Sequence, residues 1–135
     1  MKLLKRGIAF AAAGGIAGSL LVGSPAFAVT SCASTSDGHG KACVNTVYET
    51  VTVYDRSADG YSVVAYVTVG GYRSDGYPTT VTTTCTNSNG SGTSRTCSLN
   101  TLYNPHWASW KVYTADFGGE QGGGIGSTGY GSVDF

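Results

Sequence analysis

Residues 63–85 read VVAYVTVGGYRSDGYPTTVTTTC, and this stretch decides the fold. Val63, Ala65, Val67 and Val69 alternate with Val64, Tyr66 and Thr68, and beyond Tyr77 the same two-residue period carries Val81 and Cys85 between threonines. A period of two is the signature of a strand with one buried face. Between the two runs lies Ser74-Asp75-Gly76, which fits a three-residue hairpin loop: a type I turn closed by a glycine in the left-handed region, where a missing Cβ removes the steric penalty. That loop opposes Val69 to Val81 and Ala65 to Cys85. A slip of one residue would turn every apolar side chain to the wrong face, so pattern and loop length check each other.

Two further triplets, Ala58-Asp59-Gly60 and Gly90-Ser91-Gly92, carry the same chemistry on either side of this hairpin. Loops of the same length pair Val53 with Ala65 and Val51 with Val67 at the first, and Cys85 with Cys97 and Val81 with Thr101 at the second. A two-residue Asp-Gly loop at the first would instead oppose Val53 to Tyr66 and mix the faces. The reading is a four-strand meander from about Cys43 to Leu99. One face gathers Val47, Val51, Val53, Val63, Ala65, Val67, Val69, Val81, Cys85, Cys97 and Leu99. Trp107 to Asp116 reads as one more strand, and the bulk of Tyr103, Trp107, Trp110, Val112, Tyr113 and Phe117 covers the apolar face. The fold class is therefore all-β: a small antiparallel β-sandwich or partly open barrel built on a hairpin meander. Thr, Val, Tyr and Gly richness and the lack of a 3.6-residue apolar period disfavour helix.

The four cysteines are even in number and all follow residue 28. Two disulfides are expected, Cys32 with Cys43 and Cys85 with Cys97, the second because the hairpin sets its partners face to face. No C-x-x-C or histidine-rich spacing points to a metal, and no cofactor motif is present.

The amino terminus has the layout of an export leader. Lys2, Lys5 and Arg6 precede an uncharged run from Ile8 to Val22, and Ala26-Phe27-Ala28 offers a cleavage site before Val29. Gly14, Gly15, Gly18 and Pro25 make the run too short and interrupted for stable membrane insertion. Val29-Thr30-Ser31-Cys32 loosely resembles a lipobox, a competing reading that would leave three cysteines to pair. The expected organisation is a signal peptide at 1–28, a disulfide-stabilised β domain at 29–117 and a glycine-rich tail at 118–135, with the product secreted and extracellular. The tail is expected to be irregular because ordering glycine costs the most entropy, although Val133-Asp134-Phe135 can dock as an edge strand. Beyond Ala28 only five basic residues face eight acidic ones, in no cluster, so nucleic acid is not an expected partner.

No catalytic set is legible. His39 lies between glycines inside the first disulfide loop, and His106 follows Asn104-Pro105 at a turn. Asp55, Asp59 and Asp75 sit where aspartate caps turn N–H groups. Glu49 falls opposite Val69 at the sheet margin in the meander register, and nothing pairs it with Asp55 as an acid and base.

The same register places Tyr48, Thr50, Thr52, Tyr54, Val64, Tyr66, Thr68, Tyr72, Thr82, Thr84 and Thr96 on the other face. Tyrosine offers large contact area at small entropic cost, and neighbouring hydroxyls suit sugars or a protein surface. Tyr48, Tyr54 and Tyr66, joined by Trp107 and Trp110, are the candidate binding residues. Small exported β proteins with two short-range disulfides include the bacterial amylase inhibitors and the enediyne-binding apoproteins, which this chain resembles in architecture. Its cysteine spacing differs and it has no Trp-Arg-Tyr triplet, so the resemblance implies no activity. The functional expectation is a non-enzymatic binding module for an extracellular glycan or protein. The alternative is an inhibitor of an extracellular hydrolase, presenting the Cys32–Cys43 loop, or a small antimicrobial protein.

Overall fold

A computed structural model describes residues 29–117 and 125–135. Eight strands form in chain order: β1 (Thr30–Ser34), β2 (Gly40–Asn45), β3 (Thr50–Asp55), β4 (Ser62–Tyr72), β5 (Pro78–Asn87), β6 (Ser94–Ser98), β7 (Asn104–Ala115) and β8 (Ile125–Asp134). They make two antiparallel four-stranded sheets, β1-β2-β3-β6 and β5-β4-β7-β8, with no helix among the described residues. The all-β sandwich and both disulfides stand as the sequence predicts.

The central hairpin forms in the expected register. Val69 opposes Val81 and Ala65 opposes Cys85, and the Arg73 N–H donates to the Tyr77 carbonyl at 3.0 Å across a loop whose Gly76 has φ 82°. The meander around it does not form. β3 pairs with β2 and β6, not with β4, so Val51 opposes Cys97 and Val53 opposes Arg95. At Ala58-Asp59-Gly60 the chain crosses from the first sheet to the second, and at Gly90-Ser91-Gly92 it crosses back. Glycines 60, 90 and 92 do adopt positive φ. The turn chemistry is right, but a turn does not say whether the returning strand stays in its sheet.

The physical reason for the crossing lies in the inward faces. Ala42, Val44, Val51 and Val53 of the first sheet meet Val63, Ala65, Val67, Val69, Ala108, Trp110 and Val112 of the second in one buried cluster. In a single meander these valines would have faced water on one side, whereas two stacked sheets bury both sets. Val47, expected inside, is exposed at the β2–β3 turn. Glu49 lies in that turn with φ 52°, its carbonyl accepting from the Leu99 N–H, and not opposite Val69.

Both open sides of the sandwich are tied. On one, Cys85 of β5 bonds Cys97 of β6 from sheet to sheet, with Cα atoms 5.9 Å apart. Beside it the Arg95 guanidinium donates to the Thr86 carbonyl at 3.0 Å and the Asn100 amide to the Thr82 carbonyl at 2.8 Å. Asn87, fully buried, donates to the carbonyls of Val53 and Thr93, spanning the sheets. On the other side β8 meets β1, where the Ser36 N–H donates to the Thr128 carbonyl. Cys32 and Cys43 are directly opposed within the first sheet and bonded, which leaves no free thiol at Cys32.

The glycine-rich tail is the second correction. Ile125 to Asp134 pair along β7 as a ten-residue strand, although glycine is a poor strand former. The glycines stand where side chains have no room: a Cβ at Gly129 would collide with the Ser34 carbonyl oxygen, and one at Gly131 with the Trp110 ring. Residues 118–124, the first part of the tail, lie outside the described residues.

Candidate functional site

The five residues that sequence reasoning groups together are divided by the sandwich among four places. Tyr48 sits exposed in the β2–β3 turn. Tyr54 is on the outer face of the first sheet, where the Lys41 ammonium lies 5.6 Å from its ring centroid and the Thr52 and Thr96 hydroxyls bond at 2.9 Å. Tyr66 and Trp107 share the outer face of the second sheet. Trp110 belongs to the core, 3 % exposed against 40 % for Trp107. The two tryptophans are three positions apart, and on a strand an odd offset puts them on opposite faces.

The register of the second sheet fixes what surrounds Tyr66 and Trp107. Reading across β5, β4, β7 and β8, one row holds Thr84, Tyr66, Lys111 and Tyr130. The next holds Thr82, Thr68, Ser109 and Ser132, and the third Thr80, Gly70, Trp107 and Asp134. Because side chains alternate, all three rows point outward, away from the valine core. Rings therefore stand at both ends of a hydroxyl floor. The outer rows are four residues apart along β4, about 13 Å at strand spacing.

Local sequence shapes both ends. At Gly70 the missing Cβ makes room for the Trp107 ring, since an added carbon would overlap its Cε2 and Cζ2 atoms. One residue further the β4–β7 pairing shifts, with Gly70 opposite Trp107 and Gly71 opposite Pro105, so that His106 is the extra residue of a bulge. The bulge brings His106 against Tyr72, ring centroids 5.1 Å apart and edge to face. Gly70, Tyr72, Pro78, Thr80, His106 and Trp107 line an open hollow of about 520 Å³. At the other end the Lys111 ammonium is held 5.1 Å from the Tyr113 ring centroid. There Tyr66, Thr68, Ser109, Lys111 and Tyr130 line a second hollow of about 280 Å³, with Trp110 and Gly131 in its wall. Val64, in the row beyond, is buried and adds nothing to the surface.

His106, Lys111 and Tyr130 thus complete a site that sequence reasoning reaches through Tyr66, Thr68, Tyr72, Thr82 and Trp107. Parity along β7 carries the signal for Lys111, which lies four residues from Trp107. Tyr130 had none, being isolated among glycines.

A separate polar cluster lies in the loop between β1 and β2. His39 Nδ1 stands 3.0 Å from an Asp59 carboxylate oxygen and 3.4 Å from one of Asp37, linking that loop to the β3–β4 crossing. The Thr35 hydroxyl, and then the His39 backbone N–H, hold the Asp37 carboxyl below its usual range. For Asp59, desolvation pushes upward, but hydrogen bonds from the Tyr61 N–H, His39 and Ser57 outweigh it and the carboxyl is again lowered. The Ser57, Tyr61 and Tyr77 N–H groups donate to Asp55, Asp59 and Asp75, the turn-capping role the sequence predicts. This cluster is a brace that fixes the loop. Among the described residues, no three His, Cys, Asp or Glu side chains gather as a metal-holding set.

No family model matches the chain, and no curated protein or solved structure matches it.

Proposed function

We propose that the protein is a secreted, non-enzymatic binding module that holds a carbohydrate chain on the outer face of its second sheet. The observation that carries this reading is the pair of hollows on one face, walled by Tyr66 and Tyr130 at one end and by Trp107 and Tyr72 at the other, with hydroxyls between them. A sugar ring has a C–H face and a hydroxyl rim. Exposed aromatic rings match the first, and Thr68, Thr80, Thr82, Ser109 and Ser132 match the second. A protein partner is the weaker fit, because protein interfaces centre on a dry apolar core and this floor is polar. Among the described residues neither hollow is lined by a carboxylate, so retention of a glycan, not its hydrolysis, is the expected activity. Secretion is supported by the leader layout and by two disulfides, which persist in oxidising compartments.

The inhibitor reading has less support. The Cys32–Cys43 loop is braced by the Asp37–His39–Asp59 contacts, yet its tip is held against β8 by Ser36 and Asp37.

The test is retention on immobilised cellulose, xylan, mannan, chitin and pectate. Tyr66→Ala and Trp107→Ala should each weaken binding to the retained polysaccharide by about tenfold, the scale of central aromatic anchors. Tyr54→Ala, on the opposite face of the sandwich, should leave it unchanged. Equal losses in all three variants, or loss only with Tyr54→Ala, would place the contact elsewhere.

A further inference from the structure

The hydrogen-bonding groups of the smaller hollow are unbalanced. Lys111 brings an ammonium, which only donates. The remaining polar side chains, Tyr66, Thr68, Ser109 and Tyr130, are hydroxyls that donate or accept, and no carboxylate or amide oxygen lines the hollow. Lys111 forms no ion pair among the described residues, and its charge is steadied only by the Tyr113 ring. Asp134, the acidic residue of this face, belongs to the Trp107 row at the far end.

A site whose ammonium meets no carboxylate among the described residues is completed by a ligand that presents acceptors and a negative charge. We infer that the glycan held here is acidic: a uronate carboxylate is received in the Tyr66–Lys111–Tyr130 row while a neighbouring sugar ring lies on Trp107. This rests on the glycan-face reading above and specifies its ligand. The charge acts locally. Beyond residue 28 the chain carries five basic against eight acidic residues, so it has no general attraction for polyanions. The contact is a charge-assisted hydrogen bond inside a sugar site, which selects carboxylated sugars over both neutral glycans and non-sugar-specific polyanions.

Affinity electrophoresis of the disulfide-bonded protein through gels containing polygalacturonate, alginate, amylose, mannan or dextran sulfate tests this. The polyuronates should retard it most. Lys111→Gln should weaken that binding by about tenfold, the scale of a charged hydrogen bond, and Lys111→Arg should retain most of it. Lys111 projects from an outer face, and an unchanged thermal transition in both variants confirms that they fold. Retention on amylose or mannan that depends on Tyr66 and Trp107 but survives Lys111→Gln overturns the acidic assignment and leaves the glycan face standing. Dextran sulfate retention as strong as that of polygalacturonate and indifferent to Lys111→Gln overturns it as well. No retention on any polysaccharide overturns the glycan face itself.

Discussion

Removing the Cys85–Cys97 bond should cost distinctly more than removing Cys32–Cys43, although the two bridges close loops of nearly equal length. Sequence separations of 12 and 11 residues give each about 3 kcal/mol of denatured-state entropy in the chain-entropy model. The structure separates them through burial. Cys85 is 1 % exposed, in the core cluster, and Cys97 packs against that cluster between the sheets. Replacing both by alanine deletes one buried and one partly buried sulfur and leaves a void, an added cost of roughly 1–2 kcal/mol. Cys32 is exposed, and Cys43, although buried, lies outside the core cluster on the outer face of one sheet, so the same double replacement there removes less interior packing. The Cys85→Ala/Cys97→Ala protein should therefore lose about 4–5 kcal/mol and the Cys32→Ala/Cys43→Ala protein about 3 kcal/mol. Guanidinium melts followed by tryptophan fluorescence measure both, since Trp110 reports on the core. Equal losses, or a larger loss for the Cys32 pair, would refute the placement of Cys85–Cys97 between sheets and favour the in-plane hairpin instead.

Two further outcomes follow from the seam between β1 and β8. Gly129→Ala should destabilise by about 1–3 kcal/mol, as overpacking does, because the new Cβ meets the Ser34 backbone, which has no rotamer to yield; an unchanged denaturation midpoint would contradict that contact. Acid should also loosen this end of the molecule. In the folded protein the Asp37 and Asp59 carboxyls are held below the usual carboxylate range, so between the folded and unfolded values the unfolded chain binds more protons. Their stabilisation is present above about pH 4 and is lost as the pH falls through the folded values. The Asp37→Asn/Asp59→Asn protein should show a shallower fall of Tm between pH 5 and pH 2, to the order of those limits, and an identical slope would remove these carboxylates from the account.

What the sequence made legible follows from which physical constraints are local. Ser74-Asp75-Gly76 specifies its hairpin completely, because a three-residue loop with a left-handed glycine has only one register that keeps Val69 and Val81 together. Asp59-Gly60 and Gly90-Ser91-Gly92 carry equally clear turn signals, yet there the chain changes sheets, a choice set by the burial of valines far apart in sequence. The sequence pairs Cys85 with Cys97 correctly but for an incomplete reason, because the hairpin it predicts there is a crossing that stacks β5 over β6. The tail shows the opposite error. Glycine content argues against a strand when only entropy is weighed, but Gly129 and Gly131 are the residues that let β8 approach β1 and Trp110. At the site, grouping Trp110 with Trp107 overlooks a strand parity that is legible in the sequence, whereas the division of Tyr54 from Tyr66 depends on the sheet assignment and is not.

The glycan face is tested most directly by backbone and indole ¹H–¹⁵N spectra of the labelled protein during titration with a polygalacturonate oligomer. The two tryptophans give separate indole signals, one from exposed Trp107 and one from buried Trp110. Shifts centred on Tyr66, Thr68, Trp107, Ser109, Lys111 and Tyr130, with Thr52, Tyr54 and Thr96 unmoved, are the expected result. Shifts centred on Tyr54 and its neighbours, or on the loop around His39, would contradict it.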